Sequence, residues 1–153
     1  MNKRLIKNTI LTLLWLAFPA FGESYPADAK DWSQTAQDAK AAHSPIIVLY
    51  TSRACGYCER LKREVLQPMF GRTMQSAPAL YNEVDINTGG KMIDFNGESI
   101  RSRQFKQRYH VFATPTLLIL DSSGEPLTDP IVGYDSKDQY RSRLARVLEG
   151  FHI

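Results

Sequence analysis

The stretch "TSRACGYCER", residues 51–60, holds both cysteines of this 153-residue chain, Cys55 and Cys58. It is preceded by "PIIVLYT" (45–51), a continuous apolar run headed by a proline, which suits a strand buried on both faces. It is followed by "ERLKREVL" (59–66), which reads as a helix with Leu61, Val65 and Leu66 inward and an end near Pro68. The two thiols therefore stand where a buried strand hands over to a helix.

Four uses of such a pair differ in what else they require. A structural zinc site takes four ligands, but the chain has one cysteine pair, and His43, His110 and His152 lie scattered along it. Covalent haem attachment requires histidine after the second cysteine, and that position is Glu59. A structural disulfide stays open, although a bridge across so small a loop constrains the unfolded chain little. The redox reading draws on placement. A thiolate at a helix mouth meets free N–H groups and the positive end of the helix dipole, which lower its pKa. Cys55 would then attack a partner disulfide, and Cys58, one turn in, would resolve the mixed disulfide.

Outward from this centre, strands and helices alternate. "DWSQTAQDAKAAH" offers Asp31 as a helix start, with Trp32, Ala36 and Ala39 on one face. "ALYNEVDI" is a second strand, in which Glu83 and Asp85 face away from Val84 and Ile86. A glycine-bearing excursion, "NTGGKMIDFNG", precedes a helix expected over "ESIRSRQFKQRY". "TPTLLIL" is a third strand and "DSSG" a turn. "PLTDPIVG" is a fourth strand, placed at an edge by Pro130. The last helix starts at a cap formed by Asp135 with Asp138, and buries Tyr140, Leu144, Val147, Leu148 and Phe151. The order α-β-α-β-α-β-β-α predicts an α/β fold, a mixed sheet with helices on both faces.

The N-terminus reads differently. "MNKRLIKN" is basic, "TILTLLWLAF" apolar, and Ala20 and Gly22 supply the small residues of a cleavage site. That is the pattern of a secretory signal, and the apolar run is short of the ~20 residues that span a bilayer. The expected organisation is a signal peptide at 1–22 and one domain at 23–153, exported to the periplasm with no stable membrane insertion after cleavage. Lys3, Arg4 and Lys7 account for the formal charge of +3, so the remainder balances at 16 basic and 16 acidic residues. A neutral domain has no electrostatic footprint for nucleic acid. The basic runs (Arg60, Lys62, Arg63; Arg101, Arg103, Lys106, Arg108; Arg141, Arg143, Arg146) read as solvated helix faces.

"CGYC" after an apolar strand, "ATPT" opening the third strand, and "DSSG" followed by "VGY" before the last helix together resemble the thioredoxin superfamily. The closer similarity is to its exported branch, which includes SoxW-type proteins and the catalytic domain of the isomerase DsbC. It spans nearly all of residues 31–150, and "MIDFNGESI" looks like that branch's insertion. The resemblance implies a three-layer α/β/α sandwich around a mixed four- to five-stranded sheet. It implies Cys55 as nucleophile, Cys58 as resolving thiol and Pro115 as a cis-proline packed against them. Gly56, Tyr57, Thr114 and Pro115 would meet the substrate, with Thr114 offering its backbone to an extended polypeptide.

Two positions of cytosolic thioredoxins differ here: the tryptophan before the first cysteine is Ala54, and the buried aspartate six residues before it is Leu49. Glu83 is the candidate to take the proton of Cys58 in place of that aspartate. The expected activity is thiol–disulfide exchange on protein disulfides, with the Cys55–Cys58 disulfide as redox centre and no metal or other cofactor. A monomeric reductant, recharged by a membrane electron donor and acting on disulfide-bearing exported proteins, is favoured. The lack of a separate dimerisation domain and the Gly-Tyr dipeptide point that way. An isomerase, a dithiol oxidant and a non-catalytic binding module are the rivals.

Overall fold

The computed structural model describes residues 31–71 and 79–150; the expected signal peptide and Phe151 lie outside them. β1 (Ile46–Thr51) lies in the middle of a four-stranded sheet of order β2-β1-β5-β6. β2 (Leu80–Asp85) runs parallel to it, in a register that sets Leu49 against Glu83. β5 (Thr116–Leu120) runs antiparallel to β1, and the two-residue edge strand β6 (Ile131–Val132) antiparallel to β5. The continuous apolar runs of β1 and β5 are explained by this position, since both faces of the sheet are covered.

Alternation along β1 divides the core. Ile47 and Leu49 face α2 (Gly56–Leu61), its π-helical continuation Lys62–Leu66, α3 (Gln67–Phe70) and α5 (Lys137–Glu149) through Leu61, Val65, Phe70, Tyr140 and Leu144. Ile46, Val48 and Tyr50 face α1 (Trp32–Ala42) and α4 (Ser102–Arg108), where Trp32 and Phe105 stack with ring centroids 4.9 Å apart. The result is the three-layer sandwich with a mixed sheet.

Asp31 caps α1 as read, its carboxylate accepting from the N–H groups of Ser33 and Gln34. Four other expectations are corrected. Pro68 does not end its helix. The preceding turn opens into π geometry, with the Gln67 N–H reaching back to the Lys62 carbonyl, and the wider turn accommodates a residue that has no N–H and crowds the carbonyl behind it. The helix stops instead at Gly71, at φ 78°.

Residues 99–101 are strand rather than helix. β4 (Ser99–Arg101) pairs with β3 (Lys91–Ile93) in a hairpin that turns through Asn96-Gly97, with Gly97 at φ 83°. The fourth strand shrinks to Ile131–Val132, since proline at 126 and 130 cannot donate to a ladder. The cap of α5 is Ser136, whose Oγ accepts from the Gln139 N–H, while Asp135 bonds the Ser136 N–H one step earlier.

The hairpin is tied to α4 by Asp94, only 4% exposed, which takes both terminal nitrogens of Arg108 at 2.9 and 2.6 Å. Those bonds outweigh burial and hold the Asp94 carboxyl below the ordinary range. Arg108 is thus a clasp and not simply part of a solvated basic face.

Candidate functional site

β1 delivers the chain to one end of the sheet at Thr51, and a turn closed by the Cys55 N–H on the Ser52 carbonyl (3.1 Å) sets Cys55 at the mouth of α2. Cys55 has left helical geometry (φ −90°, ψ 89°), and its Sγ accepts the Cys58 N–H at 3.1 Å. The two cysteines form a disulfide, with Cα atoms 5.2 Å apart. They differ in access. Cys55 is partly exposed, whereas Cys58 is 0% exposed.

The antiparallel ladder brings the second loop alongside. Tyr50 faces Thr116, so two steps further on Ser52 comes opposite Thr114, and their hydroxyls lie 3.3 Å apart. The Thr114–Pro115 peptide bond is cis. The Pro115 carbonyl accepts the Gly133 N–H at 2.8 Å, and the Ala113 carbonyl accepts the Thr116 hydroxyl at 2.8 Å. The cysteine loop, the prolyl loop and the segment before α5 therefore converge at one end of the sheet.

Residues 32–148 match the family model of the Thioredoxin-like domain. The chain belongs to the thioredoxin-like family. A thioredoxin-fold protein from Helicobacter pylori is similar in structure, with a TM-score of 0.59 at 19% identity over 86% of this chain and 81% of that one. The DsbH oxidoreductase gives 0.54 at 18% identity, over 97% and 95% of the two chains. Thioredoxin h of poplar gives 0.51 at 16% identity, over 76% and 87%. At such identities the likeness is one of fold. No curated protein sequence matches the chain. A thioredoxin-like domain that carries a Cys-x-x-Cys disulfide is a thiol–disulfide oxidoreductase, and the chemistry of this chain is of that class.

Around the thioredoxin-like disulfide, Gly56 and Tyr57 are exposed, Tyr57 to 59%. A Cβ at Gly56 would meet nothing within 4 Å, so the rim stays open there. Glu83 lies on the sheet face that carries α2, as the alternation indicates, but its carboxylate is not free. It accepts from the Tyr81 hydroxyl at 2.9 Å and from Lys62 Nζ at 3.4 Å.

Lys62, one helical turn after Cys58, also reaches Glu59 at 2.7 Å and is 18% exposed. Its reading as a solvated residue is thereby corrected. Burial opposes its charge, yet Glu59 and Glu83 outweigh that and hold its pKa above the ordinary lysine value. Burial and the adjacent Glu83 likewise push the Tyr81 phenol upward.

Phe112, missed in the sequence, is 77% exposed directly before the prolyl loop. An aromatic residue two positions ahead of the Thr-Pro pair was the available signal.

Proposed function

We propose that this thioredoxin-like protein is exported to the periplasm and reduces disulfides in other exported proteins. Reduced Cys55 attacks one sulfur of the substrate disulfide as a thiolate, and the substrate's other sulfur leaves as a thiolate. Cys58 then attacks Cys55 Sγ, re-forming the Cys55–Cys58 disulfide and releasing the second substrate thiolate. Two electrons pass to the substrate, and a membrane dithiol donor restores the pair.

The observation that carries these roles is the difference in access: Cys55 is partly exposed at the helix mouth, and Cys58 is buried with its N–H aimed at Cys55 Sγ. Gly56, Tyr57, Thr114 and Pro115 form the groove in which an extended polypeptide adds its backbone to Thr114. Reduction is favoured over oxidation because the dipeptide between the cysteines, Gly56-Tyr57, is similar to that of reductant-type members and not to the Pro-His of the strongest oxidants. A strong oxidant owes its potential to a stabilised reduced form. Export rests on the basic, apolar and small-residue succession of residues 1–22. The domain works as a monomer, with no metal or organic cofactor.

Glu83 receives the Cys58 proton in the resolving step, since a buried thiol gives up its proton only to a nearby base. Lys62 and Tyr81 hold that carboxylate in place.

Insulin reduction with dithiothreitol as electron source tests the assignment. Wild type should accelerate precipitation, and Cys55→Ala should fall to the dithiothreitol background. Equal activity of Cys55→Ala, or none in wild type, points to a binding module with a structural disulfide. In stopped-flow measurements Glu83→Gln should slow release of the mixed disulfide about tenfold and leave the initial attack unchanged, less than the ~10²–10⁴-fold of full general base catalysis because water can take the proton in its place. Unaltered release removes Glu83 from the site.

A further inference from the structure

Tyr57 stands exposed at the rim, and among the described residues its hydroxyl makes no hydrogen bond, so its ring needs another restraint to present one surface to a substrate. Arg60 supplies a partner. Three residues on, it shares a helix face with Tyr57, and its guanidinium lies 6.0 Å from the Tyr57 ring centroid and 5.3 Å from that of Tyr134. Both distances lie within cation–π range.

Tyr134 is a firm wall. It is 9% exposed, packs against Tyr140 at 5.7 Å, and donates its hydroxyl to Glu64 at 2.5 Å. Gly133, just before it, is the residue bonded to the Pro115 carbonyl. Glu64 also accepts from Arg60 Nε at 3.4 Å. The Tyr134 and Arg60 bonds hold the Glu64 carboxyl below the ordinary range, so at neutral pH it is ionised and meets the Arg60 charge. Glu64 is shared with Arg63, whose Nη2 lies 3.2 Å away, so it orients Arg60 without cancelling its charge, and a guanidinium held in this way is well placed to hold two rings. Lysine is not equivalent, because it lacks a planar group to lie between them.

We propose that Arg60 is a positioning residue, which clamps the Tyr57 ring against Tyr134 and so shapes the wall of the groove for polypeptide substrates. This rests on the reading above that Tyr57 lines the groove. The clamp acts on recognition of a polypeptide and not on the exchange of sulfurs.

The test measures steady-state reduction of insulin and of 2-hydroxyethyl disulfide, which is too small to need the wall. Arg60→Ala should raise KM for insulin about five- to tenfold with kcat unchanged, the lower part of the span of two exposed cation–π contacts. The small disulfide should react at the wild-type rate, and Arg60→Lys should recover only part of the loss. In a Tyr57→Ala background, Arg60→Ala should change KM less than about twofold, since a clamp without its ring has nothing to hold.

An undiminished effect in that background, a KM change under about twofold in the single variant, or equal slowing of the small disulfide overturns the proposal. If Tyr57→Ala leaves KM unchanged, the groove reading fails and the clamp's role in recognition fails with it. NMR relaxation of the Tyr57 ring separates the two failures. Greater ring motion in Arg60→Ala keeps the clamp as a physical contact, and equal motion removes it.

Discussion

Cys58→Ala is expected to turn the protein from a catalyst into a trap. Cys58 is wholly buried, and its backbone N–H is bonded to Cys55 Sγ, so the variant keeps the attacking thiol and its hydrogen bond. What it loses is the sulfur that would displace the substrate. Each encounter then stops at the mixed disulfide, and turnover in the absence of added small thiols should fall at least a hundredfold, to a single event per molecule, as thiol–disulfide exchange requires. Non-reducing gels of cells carrying the variant should show new high-mass bands that collapse on reduction. Cys55→Ala should show none, because no exposed nucleophile remains. If Cys55→Ala captures partners as well as Cys58→Ala does, the two thiols exchange roles.

The second large effect is on stability, and it lies away from the site. Gly124 sits in the turn after β5 at φ +86°, and a Cβ there would fall 2.3 Å from the Phe95 ring. That ring cannot simply swing aside, because it is stacked on Trp32 at 5.5 Å and lies 6.1 Å from Phe105. The turn is fixed from the other side as well, by the Tyr109 hydroxyl on the Gly124 carbonyl at 2.6 Å. Gly124→Ala therefore combines a left-handed conformation that an L side chain resists with overpacking of an aromatic cluster. Together these should cost about 2–4 kcal/mol in urea unfolding. The folded fraction should keep its thiol–disulfide exchange. A loss below about 1 kcal/mol would mean that the Phe95 ring yields freely and that the hairpin is loosely docked.

What the sequence made legible follows the range of the interactions. β1 and β5 are runs of apolar residues, and the Asp31 cap is bonded two and three residues away, so local pattern was enough. The cysteine pair was readable because strand, pair and helix are contiguous. The errors fall where a distant partner decides. Lys62 looked solvated because its partner Glu83 is 21 residues away, on β2, whereas Arg60 is exposed as read and only its contact with Tyr134, from the segment before α5, goes unseen. Alternation put Glu83 on the correct face, yet nothing local shows that Tyr81 and Lys62 already engage it. Elsewhere two local signals compete. Asn96-Gly97 between Ile93 and Ser99 marks a hairpin, but the polar run after it also fits the start of a helix. Pro68 signals a helix stop, while the π turn that accommodates it has no signature in composition.

The reduction potential of the Cys55–Cys58 pair tests the central claim most directly. Equilibrating the protein with defined ratios of reduced and oxidised dithiothreitol, and counting its free thiols, gives the value. A reductant of protein disulfides should lie near the thioredoxin potential of about −270 mV, whereas a value near the DsbA potential of about −120 mV would make it an oxidant and contradict the account.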